Sequence, residues 1–184
     1  MLSKGMAHTP QGNFPFTVYE RMPNYLLVVI EVQGEELIPQ AYDGHTAWEL
    51  NPFLGKGARK LKGKTAALIA EEATLEPEYI DYRDKGHQIY YEGKEKWEDR
   101  KVCKLKVVKN AANDKIEITE YHYFDKKTKQ LVMVESVAVL GSAKGDTTQT
   151  FLSDFRKTEL GVMLPFNQRM MKDGELVQEI SITS

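Results

Sequence analysis

Between residues 87 and 183 the chain writes seven β-patterned runs one after another, at 87–92, 102–109, 115–124, 131–140, 147–157, 162–171 and 176–183. The separators carry turn chemistry: Asn113-Asp114, residues 125–129, residues 141–145 and Asp173-Gly174. Strands joined by short links, with no helix between them, pair with their neighbours as an antiparallel meander. Within the runs, Lys104 and Lys106 alternate with Cys103, Leu105 and Val107; Glu117, Thr119 and Tyr121 with Ile116 and Ile118; and Thr148, Thr150 and Asp154 with Phe151 and Phe155. The pattern predicts a sheet with one wet and one apolar face, and an apolar face has to be covered.

The upstream half adds strands and one helix. Phe14, Phe16, Val18 and Met22 share a face of a half-buried strand over 14–22. Pro23-Asn24 turns the chain into 25–32, which is apolar on both sides at its middle. Asp43-Gly44 then closes a hairpin between arms at 37–42 and 46–50, with Trp48 and Leu50 on one side, and Asn51-Pro52 ends the second arm. A basic loop follows, with Lys56, Arg59, Lys60, Lys62 and Lys64. Thr65 is the expected N-cap of a helix whose stripe is Ala66, Leu68, Ile69 and Ala73, and Pro77 limits its extension. Lysines before its start and Glu71, Glu72, Glu76 and Glu78 at or beyond its end oppose the macrodipole, so this helix has to depend on packing.

The expected fold is mainly β (α+β): about eleven strands in an incomplete antiparallel barrel or strongly curved sheet, with the short helix as a lid over a concave apolar face. A length of 184 residues suits one domain, 1–184. Twenty-five basic against 27 acidic residues give no global field to attract nucleic acid, which is not an expected partner. The longest wholly apolar run, 26–30, is too short to span a bilayer, and residues 1–11 lack a signal-peptide layout. The single cysteine, Cys103, sits in a strand pattern and reads as a small core residue.

The run RMPNYLLVV, then DGHTAWELNPF, a helix, and a meander containing YFDKKT, FLSDF and LGVMLPF resemble the lipoprotein localisation factor superfamily (LolA/LolB-like), including the outer-membrane lipoprotein-sorting relatives. The resemblance covers nearly the whole chain and is most specific at Asp43, Gly44, Thr46, Trp48, Asn51, Pro52 and Phe53. It implies a half-barrel with helices as a lid over an apolar cavity, working on acyl chains in the bacterial envelope, in the periplasm or at the outer membrane. The carriers of that superfamily have an arginine directly before the Pro-Asn that ties down the lid. Met22 stands in that place here, and Arg21 lies one residue earlier, on the opposite side of the strand. Superfamily members also start with a helix and a first strand, whereas this chain resembles them from the second strand onward.

Catalytic and metal chemistry are not expected. His8, His45, His87 and His122 are scattered without ligand spacing, and Ser136 and Ser153 lack a nucleophile elbow. GKGARKLKGK lacks the phosphate-loop order, so its lysines read as a solvated loop, and no cofactor is implied. Met133, Met163, Met170 and Met171 suit either an adaptable apolar lining or ordinary core filling. The favoured function is non-enzymatic binding of a lipoprotein acyl chain or other lipid. The expected lining residues are the large apolar positions of the patterned strand faces and helix stripe: Phe16, Trp48, Leu50, Leu68, Ile69, Ile118, Met133, Phe151, Phe155 and Leu164. The alternative is an envelope sensor or structural protein whose filled cavity leaves it to bind a protein partner.

Overall fold

The computed structural model describes residues 1–54, 57–97, 99–111, 116–139, 144–159 and 161–184. Its strands are β1 (Leu2–Thr9), β2 (Gly12–Arg21), β3 (Tyr25–Val32), β4 (Glu35–Asp43), β5 (Ala47–Leu50), β6 (Arg59–Lys60), β7 (Gln88–Trp97), β8 (Arg100–Ala111), β9 (Ile116–Asp125), β10 (Leu131–Val137), β11 (Thr147–Lys157), β12 (Met163–Lys172) and β13 (Glu175–Ile182). One α-helix, α1 (Gly63–Glu72), and a 3₁₀ turn over Pro52–Leu54 complete the described elements. The ladder order is β6-β5-β4-β3-β2-β1-β13-β12-β11-β10-β9-β8-β7. Its two ends are different strands, so this antiparallel sheet is not closed. Thirteen strands replace the expected eleven or so.

Chain contacts divide into two compact units. The first comprises Met1–Ile80, Ala111–Ile116 and Ile182–Ser184, and the second Asp81–Asn110 and Glu117–Ser181. In the first unit β1, which the sequence does not announce, pairs with β2 from Leu2↔Tyr19 to Thr9↔Gly12. Its alternation is hidden by small and polar residues (Ser3, Lys4, Gly5), so the neighbouring strand supplies what propensity does not. The Asp43-Gly44 hairpin forms as its chemistry predicts. The Asp43 carboxylate accepts the N–H groups of His45 (2.9 Å) and Thr46 (2.7 Å), and Gly44 takes a φ of 92°. Asn51 caps the 3₁₀ turn by accepting the Phe53 N–H at 3.0 Å.

The helix begins three residues earlier than expected. Lys62, not Thr65, is the N-cap, and no side chain caps it, so the start rests on backbone geometry alone. The helix packs on β4 and β5 with Ala67, Ile69 and Ala73 buried. Of the basic loop, Lys56 lies outside the described residues, as do the Asn113-Asp114 turn and residues 141–143.

In the second unit β7 runs on to Trp97, five residues past the expected end, through a bulge between Tyr91 and Gly93. Further register shifts fall between Leu131 and Met133 and between Met170 and Met171. Each such bulge bends its strand and raises the local twist. The expected division of β8 into a wet lysine side and an apolar side also needs correction. Val102 and Val107 are five positions apart on β8, an odd count, so they face opposite ways, and both are fully buried. Lys104 is on Val102's side, where its ammonium lies over the Tyr121 and Tyr123 rings.

Candidate functional site

In an antiparallel ladder, residues directly opposite one another share a face. In the first unit Tyr19 faces Leu27, Leu27 faces Ala41, and Ala41 faces Trp48. These four residues, from four strands, form one continuous apolar rung. They line an open trough of about 410 Å³ together with Met1, Glu20, Arg21, Tyr25, Leu26, Tyr42 and Asp43. Ala41, between Leu27 and Trp48 on that rung, is 1% exposed. The Arg21 guanidinium lies 4.1 Å above the Tyr25 ring at one rim, a cation held on an aromatic face. Burial pushes the Glu20 carboxyl above its ordinary value. Hydrogen bonds from the Thr46 and His45 amides hold Asp43 below its own.

The expected lining residues of this unit divide. Trp48 is in the trough, and Leu50, half-buried on the same side of β5, faces Ile38 across a bulge. Phe16 is three positions from Tyr19 and therefore on the other side of β2, on a rung with Ile30 and Leu37. On α1, Ile69 is buried and Leu68 half-buried.

The second unit gathers three of its five expected residues. Met133 lies between Tyr123 and Phe151 on one rung, and these pack with Val102, Val132, Trp97, Tyr121 and Phe155. Trp97 stacks on Phe151 with ring centroids 5.2 Å apart. Lys104 sits 4.7 Å from the Tyr121 ring centroid and 5.1 Å from that of Tyr123, with Glu95 at 3.5 Å. Its hydrogen bond with Tyr123 holds the ammonium above its ordinary pKa, so this aromatic face carries a lasting positive charge. Ile118 and Leu164 do not join this cluster. Ile118 alternates with Tyr121 and Tyr123, and Leu164 faces Arg156, one position from Phe155, so register directs both to the opposite side.

That opposite side holds a polar group which sequence spacing does not reveal. The Glu120 carboxylate accepts from His122 Nε2 at 2.8 Å and pairs with Lys109 at 3.0 Å. Burial alone would raise the Glu120 pKa, but His122 and Lys109 outweigh it and hold it below the ordinary value. His122 is 2% exposed, a buried imidazole with its hydrogen bond satisfied. The serines weighed as nucleophiles have other partners. The Ser136 hydroxyl meets that of Thr148 at 3.1 Å, and the Ser153 hydroxyl donates to Asn167 at 3.1 Å.

Leu27 and Ala41 lie in apolar strand runs, but Tyr19 lies on the side of β2 opposite Phe14, Phe16 and Val18, and joining the three across strands needed the register. Trp97 was hidden among charges, in KEKWEDR.

Among the described residues no helix is long and apolar enough to cross a membrane. No family model matches the sequence, and no curated protein matches it either. Solved structures do match the fold over 100% of this chain. A putative outer membrane lipoprotein-sorting protein domain from Vibrio parahaemolyticus superimposes over 83% of its own length with a TM-score of 0.62 and 10% identity. A LolA superfamily protein from Nitrosomonas europaea does so over 82% with a TM-score of 0.65 and 12% identity. A DUF1329 family protein from Desulfovibrio piger does so over 83% with a TM-score of 0.68 and 13% identity. At these identities the likeness is one of fold: the chain has the fold of the LolA superfamily structures.

Proposed function

We propose that this protein is a non-enzymatic carrier or sorting protein of the bacterial envelope, in the periplasm or at the outer membrane, that shelters a lipoprotein acyl chain or another lipid. The observation that carries the reading is the trough in the first unit: about 410 Å³ of open space over a rung of Tyr19, Leu27, Ala41 and Trp48. A water-facing groove of this composition gains free energy when an alkyl chain displaces the water. At about 0.8 kcal/mol per methylene, a long acyl chain offers on the order of 10 kcal/mol before the cost of ordering it. Helix α1, uncapped by any side chain and without favourable charges at either end, is the element best suited to yield to such a ligand or to close over it. The fold shared with the outer membrane lipoprotein-sorting protein domain from Vibrio parahaemolyticus supports the same cargo class.

A second reading is favoured by one observation. In the second unit Met133, proposed as lining, is only 4% exposed and Val102 is 0% exposed, so that apolar face is filled by its own side chains. An envelope sensor or structural protein that binds a protein partner fits such a filled interior.

Titration with a fluorescent fatty acid, alongside native mass spectrometry of the freshly purified protein, separates the two. The carrier reading expects saturable binding, a co-purifying lipid, and at least about tenfold weaker binding in Leu27→Glu, because a charge would replace apolar surface in the trough. Binding that never saturates, with no lipid in the mass spectrum, overturns it and leaves the second reading.

A further inference from the structure

The apolar site leaves unused a group of cations at one end of the second unit. Two hairpin tips meet there, the β7–β8 tip and the β9–β10 tip, tied by the Lys126 N–H donating to the Lys101 carbonyl at 2.9 Å. Residues 96–101 and 125–129 hold six cations (Lys96, Arg100, Lys101, Lys126, Lys127 and Lys129) against three carboxylates, Glu98, Asp99 and Asp125. All six cations are exposed. A cleft of about 470 Å³ lies between the tips, lined by Asp99, Arg100, Lys101, Asp125, Lys126 and Lys127.

Three features separate this group from ordinary surface lysines. Lys96 lies directly opposite Lys101 on the ladder, an arrangement of like charges that costs stability unless an outside anion offsets it. Among the described residues none of the six makes a salt bridge, whereas Lys104, Lys109, Arg156 and Lys172 of the same unit pair with Glu95, Glu120, Asp154 and Asp146. The Asp125 carboxylate is already committed, accepting the Thr128 N–H at 2.9 Å and the Lys127 N–H at 2.7 Å. It shapes the tip that displays the lysines, and its charge, which acts on Arg100, offsets only one of the six cations.

We propose that this paired tip docks the protein on an anionic bilayer surface, where the six cations meet the phosphates of acidic phospholipid headgroups. Long flexible ammonium stems on protruding turns, with no buried donor among them, suit a diffuse two-dimensional array of phosphates better than one stereochemically fixed anion. The surface shares no residue with the lipid trough, so the two readings stand or fall separately.

Co-sedimentation of the full chain with vesicles tests it. The protein should pellet with phosphatidylcholine vesicles containing a quarter phosphatidylglycerol, remain free with phosphatidylcholine alone, and be released by high salt. Each cation near such a surface is worth about fivefold in association, so Lys126→Glu/Lys127→Glu should bind at least about twentyfold more weakly. Lys144→Glu/Lys157→Glu, with the same change in net charge elsewhere on the unit, should bind nearly as the wild type does. Circular dichroism and melting temperature confirm folding, and Lys127→Glu alone serves if the double variant unfolds. Equal weakening in both double variants, equal pelleting with neutral vesicles, or no pelleting at all overturns the proposal. Complete displacement by pyrophosphate, at an ionic strength where sodium chloride has no effect, overturns it too and assigns the cleft to a soluble anion. Fatty-acid binding measured on Lys126→Glu/Lys127→Glu should be unchanged, which keeps this test apart from that of the cargo.

Discussion

At the scale of single residues, the polar group on β8 and β9 sets an acid limit on stability. Glu120 is held below its ordinary pKa in the folded protein, with burial opposing the shift and His122 and Lys109 imposing it. A carboxylate depressed on folding contributes fully above its unfolded pKa, about 4.3, and loses that contribution as pH falls toward its lower folded value. Thermal melting of wild type and Glu120→Gln from pH 7 to pH 3 should therefore show two curves that converge. The variant should be about 1–3 kcal/mol less stable near neutrality, because Lys109 and the buried His122 lose an ionised partner. A gap that stays constant down to pH 3 would remove the ionised pair from the account. Met133 tests the packed cluster: at 4% exposure and flanked on its rung by Tyr123 and Phe151, Met133→Ala should cost about 2–5 kcal/mol in denaturant melts. A cost under about 1 kcal/mol would mean that the site collapses without a cavity or is looser than its burial indicates.

At the scale of elements, α1 is the weak member. It has no acidic residue in its first turn, no basic residue in its last, and no side-chain cap at Lys62. Replacing Lys62 with Asp supplies both a cap and a charge that suits the macrodipole, and should stabilise the helix by about 1 kcal/mol. Hydrogen exchange reads this directly: the α1 amides should exchange before those of β2–β4 in the wild type and become severalfold slower in Lys62→Asp. Unchanged exchange would mean that packing of Ala67, Ile69 and Ala73 alone sets the helix's opening. The helix was legible in the sequence because its stripe and breaker are local, and its start was misplaced because Thr65 offered a better cap than the chain uses. The Asp43-Gly44 hairpin was legible for the same reason, each turn residue acting on its own backbone. β1 was not, since Gly5 and Lys4 say nothing without β2 beside them. Of the candidate site, Trp48, Met133, Phe151 and Phe155 were chosen from alternation. In the second unit register puts Ile118 and Leu164 on the side opposite Met133, Phe151 and Phe155, because alternation inside a strand does not fix which of its sides matches a neighbour's.

At the scale of the whole molecule, an unclosed ladder must protect two edges, and the sequence of each edge strand shows how. An unpaired edge offers backbone groups to any other strand, so a soluble sheet blunts it with shortness, charge or a bulge. At one end, β6 has two residues, Arg59 and Lys60, both exposed, with Arg59 bonded to Glu49. At the other, β7 is long but carries Lys94, Glu95 and Lys96 in a row, beside a bulge between Tyr91 and Gly93. The bulge spoils the register that a partner strand would need, and the lysines add repulsion between copies. The charges are the part that can be removed without touching the core, since Lys94 and Lys96 are exposed. Lys94→Val/Lys96→Val should leave the melting temperature within a few degrees of wild type yet self-associate more strongly than wild type as concentration rises. Light scattering across a concentration series would detect it. Lys157→Val, an equal loss of charge per site on the interior strand β11, should stay dispersed. Should Lys94→Val/Lys96→Val remain as dispersed as Lys157→Val, the bulge alone would guard β7, and the lysines would be left without a role at this edge.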